Sequence, residues 1–165
     1  MKIRQLLALA VLSLVAMSNS CKKEDVVPCN ASADVTMLPL AGLKASISEP
    51  VPYVGQTNEY IINSAAEYHE LFAGKKLPAI DFTTHTLLAG KTRTASSYHL
   101  LAQQVVQTCT GYTYAVQLAP DASPKAVSVV YYVLIPKLPE TAKVAFDVQL
   151  LASGSSAEVS TLVAK

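Results

Sequence analysis

Alternating apolar and polar residues dominate the second half of the chain, and a period of two predicts β-strands. In the stretches Lys143–Leu150 and Tyr112–Leu118 the alternation is that of a strand with one buried face. The stretch Val127–Ile135 is apolar on both faces apart from Ser128. Such a stretch is typical of a strand covered on both sides, or of one whose second face awaits a partner. The pattern therefore predicts a β domain.

Short turns separate these strands, and short connections join antiparallel neighbours. We therefore expect a meander in which Thr94 pairs with His99 and Leu118 pairs with Val127. The predicted fold class is mainly β (α+β): an antiparallel meander forming a sandwich-like or partly closed barrel sheet, with one short helix packed on it. The predicted strands are Leu43–Ser48, Tyr60–Ile62, Thr86–Thr94, Tyr98–Cys109, Tyr112–Leu118, Ala126–Ile135 and Lys143–Leu150.

One helix is predicted between the early strands. Ser64 and Glu67 form an S-x-x-E capping box, in which the serine oxygen and the glutamate each accept a backbone N–H at the start of a helix. Tyr68 and Phe72 follow at helical spacing and should lie on the sheet. Gly74 is a favoured residue for the end of the helix.

The beginning of the chain has the pattern of a targeting segment. Lys2 and Arg4 precede the apolar run Leu6–Met17, which is shorter than the about 20 residues that a membrane-spanning helix needs. The run ends just before Cys21, and the stretch Ser18–Cys21 resembles the lipobox of bacterial lipoproteins. The resemblance implies that Cys21 carries the lipid. The alternative is a plain secretory signal with a cysteine nearby.

The charged residues Lys22–Asp25 resemble the export signal that some Gram-negative bacteria place directly after the lipidated cysteine. The resemblance implies an outer-membrane protein that is anchored by lipid and exposed at the surface; the alternative is a solvated tether. We expect a lipoprotein signal peptide at 1–20, a tether or linker at 21–42, a single β-rich domain at 43–152 and a C-terminal tail or edge segment at 153–165.

Charge excludes one class of partner. The chain has 13 basic and 12 acidic residues. Without Lys2 and Arg4, 11 basic residues remain against 12 acidic ones, so the mature net charge is −1. Arg93 is then the only arginine, and no basic stripe is present. We therefore expect no nucleic-acid partner.

Three cysteines are present. If Cys21 carries lipid, Cys29 and Cys109 remain, and an exported environment allows them to form a disulfide. Sequence spacing does not determine whether their Cα atoms are close enough, so the bridge stays one of two alternatives, the other being two thiols.

Catalytic and metal-binding patterns are weak. The stretch "EYHELF" begins like the zinc motif H-E-x-x-H, but Ala73 stands where the second histidine belongs, so His69 is expected to be an exposed helix residue. The remaining enzyme-like pairing is Cys109 with His85, which would approach each other across a hairpin of the second and first late strands. We predict no catalytic, cofactor-binding or metal-binding residues, and no cofactor.

Residues from Ile62 to Val148 resemble the PrcB family of protease-complex subunits, whose domains are common in bacterial lipoproteins. The resemblance rests on "INSAAEYHELF", "LPAIDF", the "TGY" turn at Thr110–Tyr112 and "YYVLIPKLP". The family's turn usually reads Thr-Gly-Gly-Tyr, so one glycine is missing here. The resemblance implies an accessory, non-catalytic domain that is sometimes associated with a protease.

These observations predict a lipid-anchored cell-envelope lipoprotein that acts as a non-catalytic binding or structural module, not as an enzyme. Its partner would be a protein or a glycan. One alternative is an accessory or inhibitory subunit of a cell-surface protease. A further alternative is a small-ligand carrier, which would need a cavity inside the sheet.

Overall fold

The computed structural model describes residues 32–43, 46–73 and 76–152. The described residues form seven strands and one helix. The helix α1 spans Ala65–Leu71. The strands are β1 (Ala33–Asp34), β2 (Thr57–Ile62), β3 (His85–Thr94), β4 (Tyr98–Thr108), β5 (Gly111–Pro120), β6 (Val127–Pro136) and β7 (Val144–Leu150).

The strands of the described residues form two sheets that do not close into a barrel. The first sheet has the order β1-β4-β5-β7, and the second has the order β2-β3-β6. All neighbours are antiparallel except β5 and β7, which run parallel. The predicted fold class, a mainly β, sandwich-like domain with one short helix, is confirmed.

The meander connectivity is wrong at three places, and one of them is between β6 and β7, which lie in different sheets. Strands β3 and β4 do not form a hairpin, because β3 pairs with β2 and β6 while β4 pairs with β1 and β5. Strands β5 and β6 also lie in different sheets. The short β3–β4 connection is a corner between the sheets, and the Thr94 hydroxyl donates to the Ser96 carbonyl at 2.6 Å there. This short connection therefore joins strands of two different sheets and does not form a hairpin.

A first core lies between the two sheets. Tyr114 of β5 and Tyr131 of β6 are buried in it, and their ring centroids are 6.1 Å apart at a steep angle. The predicted pairing of Leu118 with Val127 would place these tyrosines opposite each other in one sheet, but they meet across the sandwich instead. The other fully buried members are aliphatic side chains of the facing strands, Leu88, Val105, Val116, Leu118 and Ile135.

A second core lies on the outer face of the β2-β3-β6 sheet, where α1 packs. Tyr68 and Phe72 of the helical stripe are each 2 % exposed, and their rings are 5.4 Å apart. Strand β6 contributes Tyr132 and Leu134 to this core and its alternate residues to the first core. Of the two alternatives for this strand, the structure shows the first, in which both faces are covered.

The helix begins as its capping box predicts. The Glu67 N–H donates to the Ser64 hydroxyl oxygen at 3.2 Å, and Glu67 Oε2 accepts the Ser64 N–H at 3.1 Å. The helix ends at Leu71, because Phe72 is extended and forms a bridge to Ile47. Gly74, the predicted stop, lies outside the described residues.

Residues assigned to the tether belong to the sheets in the structure. Strand β1 pairs with the end of β4, and the Leu38 N–H donates to the Leu134 carbonyl at 2.8 Å. The domain thus includes residues before the predicted boundary at Leu43, because backbone groups at sheet edges accept an irregular segment that shows no periodicity of its own. Within the predicted strand Leu43–Ser48, the described residues show only the bridge at Ile47.

Candidate functional site

The open edge of β2 is the main feature that could engage a partner. Strand β2 is the terminal strand of its sheet, and β3 is its only strand neighbour among the described residues. Its start is fixed by a turn in which the Gln56 N–H donates to the Tyr53 carbonyl at 3.2 Å. Gly55 lies within this turn with a φ of 85°, a left-handed conformation that favours glycine. The turn therefore fixes where β2 begins and the register in which it pairs with β3.

Hydrogen bonds at the start of β2 show which of its backbone groups face outward. Arg93 of β3 donates its N–H to the Gln56 carbonyl at 3.0 Å and accepts the Gly55 N–H at 2.8 Å. This places two residues of one strand opposite a single residue, as in a β-bulge. In an antiparallel pair, residues alternate between bonding the partner and facing away from it. The backbone groups of Thr57, Glu59 and Ile61 therefore face away from β3.

A surface groove of about 530 Å³ runs along this edge. One side of the groove is β2 itself, from Glu59 to Ile62. The opposite side consists of α1 and of the segment Ser48–Glu49, which is held to the helix by the Ser48 N–H donating to the Leu71 carbonyl at 3.0 Å. The groove thus lies between the edge of β2 on one side and the helix wall, formed by α1 and Ser48–Glu49, on the other.

Carboxylates line both sides of the groove. Among the residues that the structure describes, its lining includes four glutamates and no lysine, arginine or histidine. On the helix wall, Glu67 is committed to the capping box, and the backbone N–H donated by Asn63 at 2.8 Å holds its pKa below the usual value. The Glu49 carboxylate accepts the Tyr60 hydroxyl at 2.8 Å. Burial, followed by this hydrogen bond, raises the pKa of Tyr60 to about 12.

Glu59 projects from the other face of β2, since Tyr60 and Ile62 pack with the helix core. Burial raises the pKa of Glu59 above the ordinary value for a glutamate. No ion pair or hydrogen bond compensates this carboxylate among the described residues. Glu59 lies opposite Gly90, across which the Tyr131 ring packs. The result is a partly desolvated negative charge at the strand edge.

The predicted site residues are only partly in the described region. Cys21 and Cys29 lie outside the described residues, so lipid attachment and the Cys29–Cys109 bridge stay predictions. Cys109 is disulfide-bonded. Its suggested approach to His85 depended on a β3–β4 hairpin; because these strands belong to different sheets, that pairing loses its basis.

The histidines do not gather into one site. His69 is exposed on α1, as expected. His99 Nδ1 lies 2.6 Å from Asp121 Oδ1 at the surface, and the Ser97 hydroxyl donates to the other oxygen of the same carboxylate at 2.9 Å. These two bonds hold the pKa of Asp121 below its usual value. Within residues 32–43, 46–73 and 76–152, no three His, Cys, Asp or Glu side chains converge as metal ligands would.

In the described part of the chain, the interior between the two sheets is packed with side chains. The space between the sheets is occupied by buried side chains, with Tyr114, Val116 and Leu118 fully inaccessible. The grooves in the described part of the chain open at the surface instead, including one of about 290 Å³ beside Met37 and β6. In the same part of the chain, no helix has the length and apolarity needed to cross a bilayer.

Sequence reasoning did not identify this groove. In the sequence, Glu67 was identified only as a capping residue, and no pattern brought Glu49, Glu59 and Glu70 together. The alternating pattern of β2 predicts on which face of the sheet each side chain lies. It does not predict that β3 is the only described strand that pairs with β2. Comparison with known proteins found no matching family model, no similar curated protein and no similar solved structure.

Proposed function

We propose that this protein is a non-catalytic binding module that takes up an extended polypeptide segment along the open edge of β2. The observation that carries the proposal is the groove of about 530 Å³ with one side formed by a strand edge that no other described strand covers. A polypeptide in β conformation can add to such an edge as a further strand. Its backbone would pair with the outward N–H and C=O groups of Thr57, Glu59 and Ile61.

The residues around this edge favour binding by backbone pairing with an added strand over binding by side-chain contacts alone. Open strand edges are usually blunted by charge, by proline or by a covering element. Strand β2 has no proline, and Ile61 at its edge is 39 % exposed, which leaves apolar surface for an incoming chain. Leu71 on the helix wall supplies a second apolar contact. Backbone pairing and these side chains together would supply affinity.

We further propose that the domain is held at the cell envelope by a lipid on Cys21, in the outer membrane and facing the surroundings. The support is the sequence pattern at Ser18–Cys21 and the charged residues after it. Several acyl chains anchor a protein stably, since each buried CH₂ contributes about 0.8 kcal/mol. Metabolic labelling with a clickable fatty acid, followed by protease treatment of intact cells, tests anchorage and orientation. Label that persists after Cys21→Ala, or none in the wild type, contradicts the anchor.

A photo-crosslinking experiment in cells tests strand addition. A photoreactive residue replaces Glu70 on the helix wall, and a control protein carries it at exposed Lys125, outside the groove. The crosslinked product should form only from position 70. It should be lost with Ile61→Pro, which removes an outward N–H without removing a bond to β3, and it should persist with Ile61→Ala. A product that forms equally with the proline variant would contradict the proposal.

A narrower form of the proposal is an accessory or inhibitory subunit of a cell-surface protease. It rests on the resemblance of residues Ile62–Val148 to PrcB-type domains, and on the ability of an open strand edge to bind an extended segment of a partner by strand addition. Purification from detergent extracts tests it: a protease activity should accompany the wild-type protein and be reduced with Ile61→Pro. The repeated absence of any such activity counts against this narrower form.

A further inference from the structure

We infer that the segment bound along β2 is cationic, with lysine or arginine side chains that face the carboxylates of Glu49, Glu59 and Glu70. This inference rests on the proposed function and adds the chemistry of the partner. It follows from charge complementarity, because the described residues that line the groove include four glutamates and no basic residue. Opposite charges across an interface favour the correct partner and speed its association.

The carboxylates are distributed along the groove and are not gathered at one point. Glu49 and Glu70 lie with the helix wall, whereas Glu59 projects from the opposite face of β2. Among the described residues no three such ligands converge as a metal ion requires. A row of separated negative charges instead matches an extended chain, whose side chains emerge at regular intervals.

The lysines that the structure describes near the groove do not neutralise its open carboxylates. Lys91 donates to the backbone carbonyls of Ile47 and Glu49 at 2.7 and 2.8 Å. Lys137 donates to the Asn63 carbonyl at 3.2 Å and attracts Glu67, the one groove glutamate that the capping box already uses. Both lysines are therefore engaged, and Glu59 and Glu70 have no ion pair within the described region.

Alternation along the incoming strand specifies where its charges should be. Successive side chains of a strand point to opposite faces of the sheet. A residue that points toward α1 meets Glu49 and Glu70, and its sequence neighbour points toward Glu59. Two consecutive basic residues would thus place one cation on each face. The inferred ligand is an extended segment that contains an adjacent pair of lysines or arginines.

Three synthetic nine-residue peptides test this inference against the full chain purified in detergent. Each has valine and threonine flanks, and the central pair is Lys-Lys, Gln-Gln or Glu-Glu. We expect the Lys-Lys peptide to bind about tenfold more tightly than the Gln-Gln peptide at low salt, as a few exposed ion pairs permit. The Glu-Glu peptide should bind most weakly. High salt should reduce the preference for lysine because it screens exposed charges.

Variants assign the preference to the groove. Combined Glu59→Gln and Glu70→Gln should lower the preference for Lys-Lys over Gln-Gln to about twofold or less, since two of its charges are gone. Glu140→Gln removes an exposed glutamate outside the groove and should leave the preference unchanged. Circular dichroism spectra that match the wild type establish that each variant is folded.

The outcomes separate this inference from the proposed function. If all three peptides bind equally well and all are lost with Ile61→Pro, strand addition stands and the cationic ligand is refuted. If the Lys-Lys peptide binds Ile61→Pro as well as it binds the wild type, both are refuted. If no peptide binds at about 1 mM, where even weak complexes form, the inference is refuted as well. A lysine preference that persists after removal of Glu59 and Glu70 also refutes it.

Discussion

Gly90 provides the sharpest test of how the edge strand is supported. It lies in the middle of β3, opposite Glu59 on one side and Tyr131 on the other. A Cβ atom at this position would overlap Cε2 and Cζ of the Tyr131 ring. Tyr131 is only 1 % exposed, so its ring has little space into which it could move. We therefore predict that Gly90→Ala destabilises the fold.

The magnitude follows from three contributions. Forcing extra atoms into a packed core costs about 1–3 kcal/mol. Displacing the Tyr131 ring also weakens its edge contact with Tyr114, which is worth about 0.5–1.5 kcal/mol. Alanine lowers the conformational entropy of the unfolded chain relative to glycine, which adds about 0.4–1 kcal/mol to the free energy of unfolding and offsets part of the loss. The net expectation is a loss of about 2 kcal/mol in the free energy of unfolding.

Urea denaturation followed by circular dichroism measures this loss. The midpoint should fall with little change in slope, because the same surface is exposed on unfolding. The matched control is the double variant Gly90→Ala with Tyr131→Val, in which the shorter side chain no longer covers residue 90. The two changes should be coupled, so that the double variant loses less than the sum of the single variants. A neutral or stabilising Gly90→Ala, or strictly additive losses, would refute the packing argument.

Three further predictions concern the helix cap and the cysteines. Ser64→Ala should lower the free energy of unfolding by about 1 kcal/mol, measured by urea denaturation, because the cap loses its hydroxyl acceptor; no loss would contradict the capping role. The folded-state pKa of Glu67 lies below its unfolded value of 4.5, so its contribution is full above that pH and is lost as the pH falls through the folded pKa. Glu67→Gln should make stability less dependent on pH below 4.5, and an unchanged acid profile would be the opposite result. Mass spectrometry after alkylation without reduction should show Cys29 and Cys109 unmodified and bridged, whereas alkylation of both would exclude the bridge.

Local structure could be predicted wherever the residues that determine it lie close together in the sequence. The capping box at Ser64 and Glu67 formed as expected, because both partners lie within one helical turn. The apolar residues on both faces of β6 were covered on both sides, because exposing them to water is unfavourable. These features need no knowledge of distant residues.

The candidate site was less predictable because it depends on the position of β2 at the end of its sheet, where no second described strand pairs with it. Glu49, Glu59 and Glu70 are ordinary charged residues in the sequence, and nothing in their spacing brings them to one groove. They share it because β2 is a terminal strand and α1 packs beside it. A sequence signal exists only for the exposure of Ile61, an apolar residue that the alternation of β2 places on the same face as Glu59.

The sequence by itself determined where strands β3 to β7 lie, which faces of those strands are buried and where the helix begins. The tertiary structure decided which strands are neighbours, including the corner after Thr94 that separates β3 from β4 and the parallel pairing of β5 with β7. The physical reason is that burial of a side chain is set by its own apolarity, whereas backbone N–H and C=O groups are the same in every strand. The choice of neighbour, and with it the open edge of β2, is settled only by competition among all the strands for the same two cores.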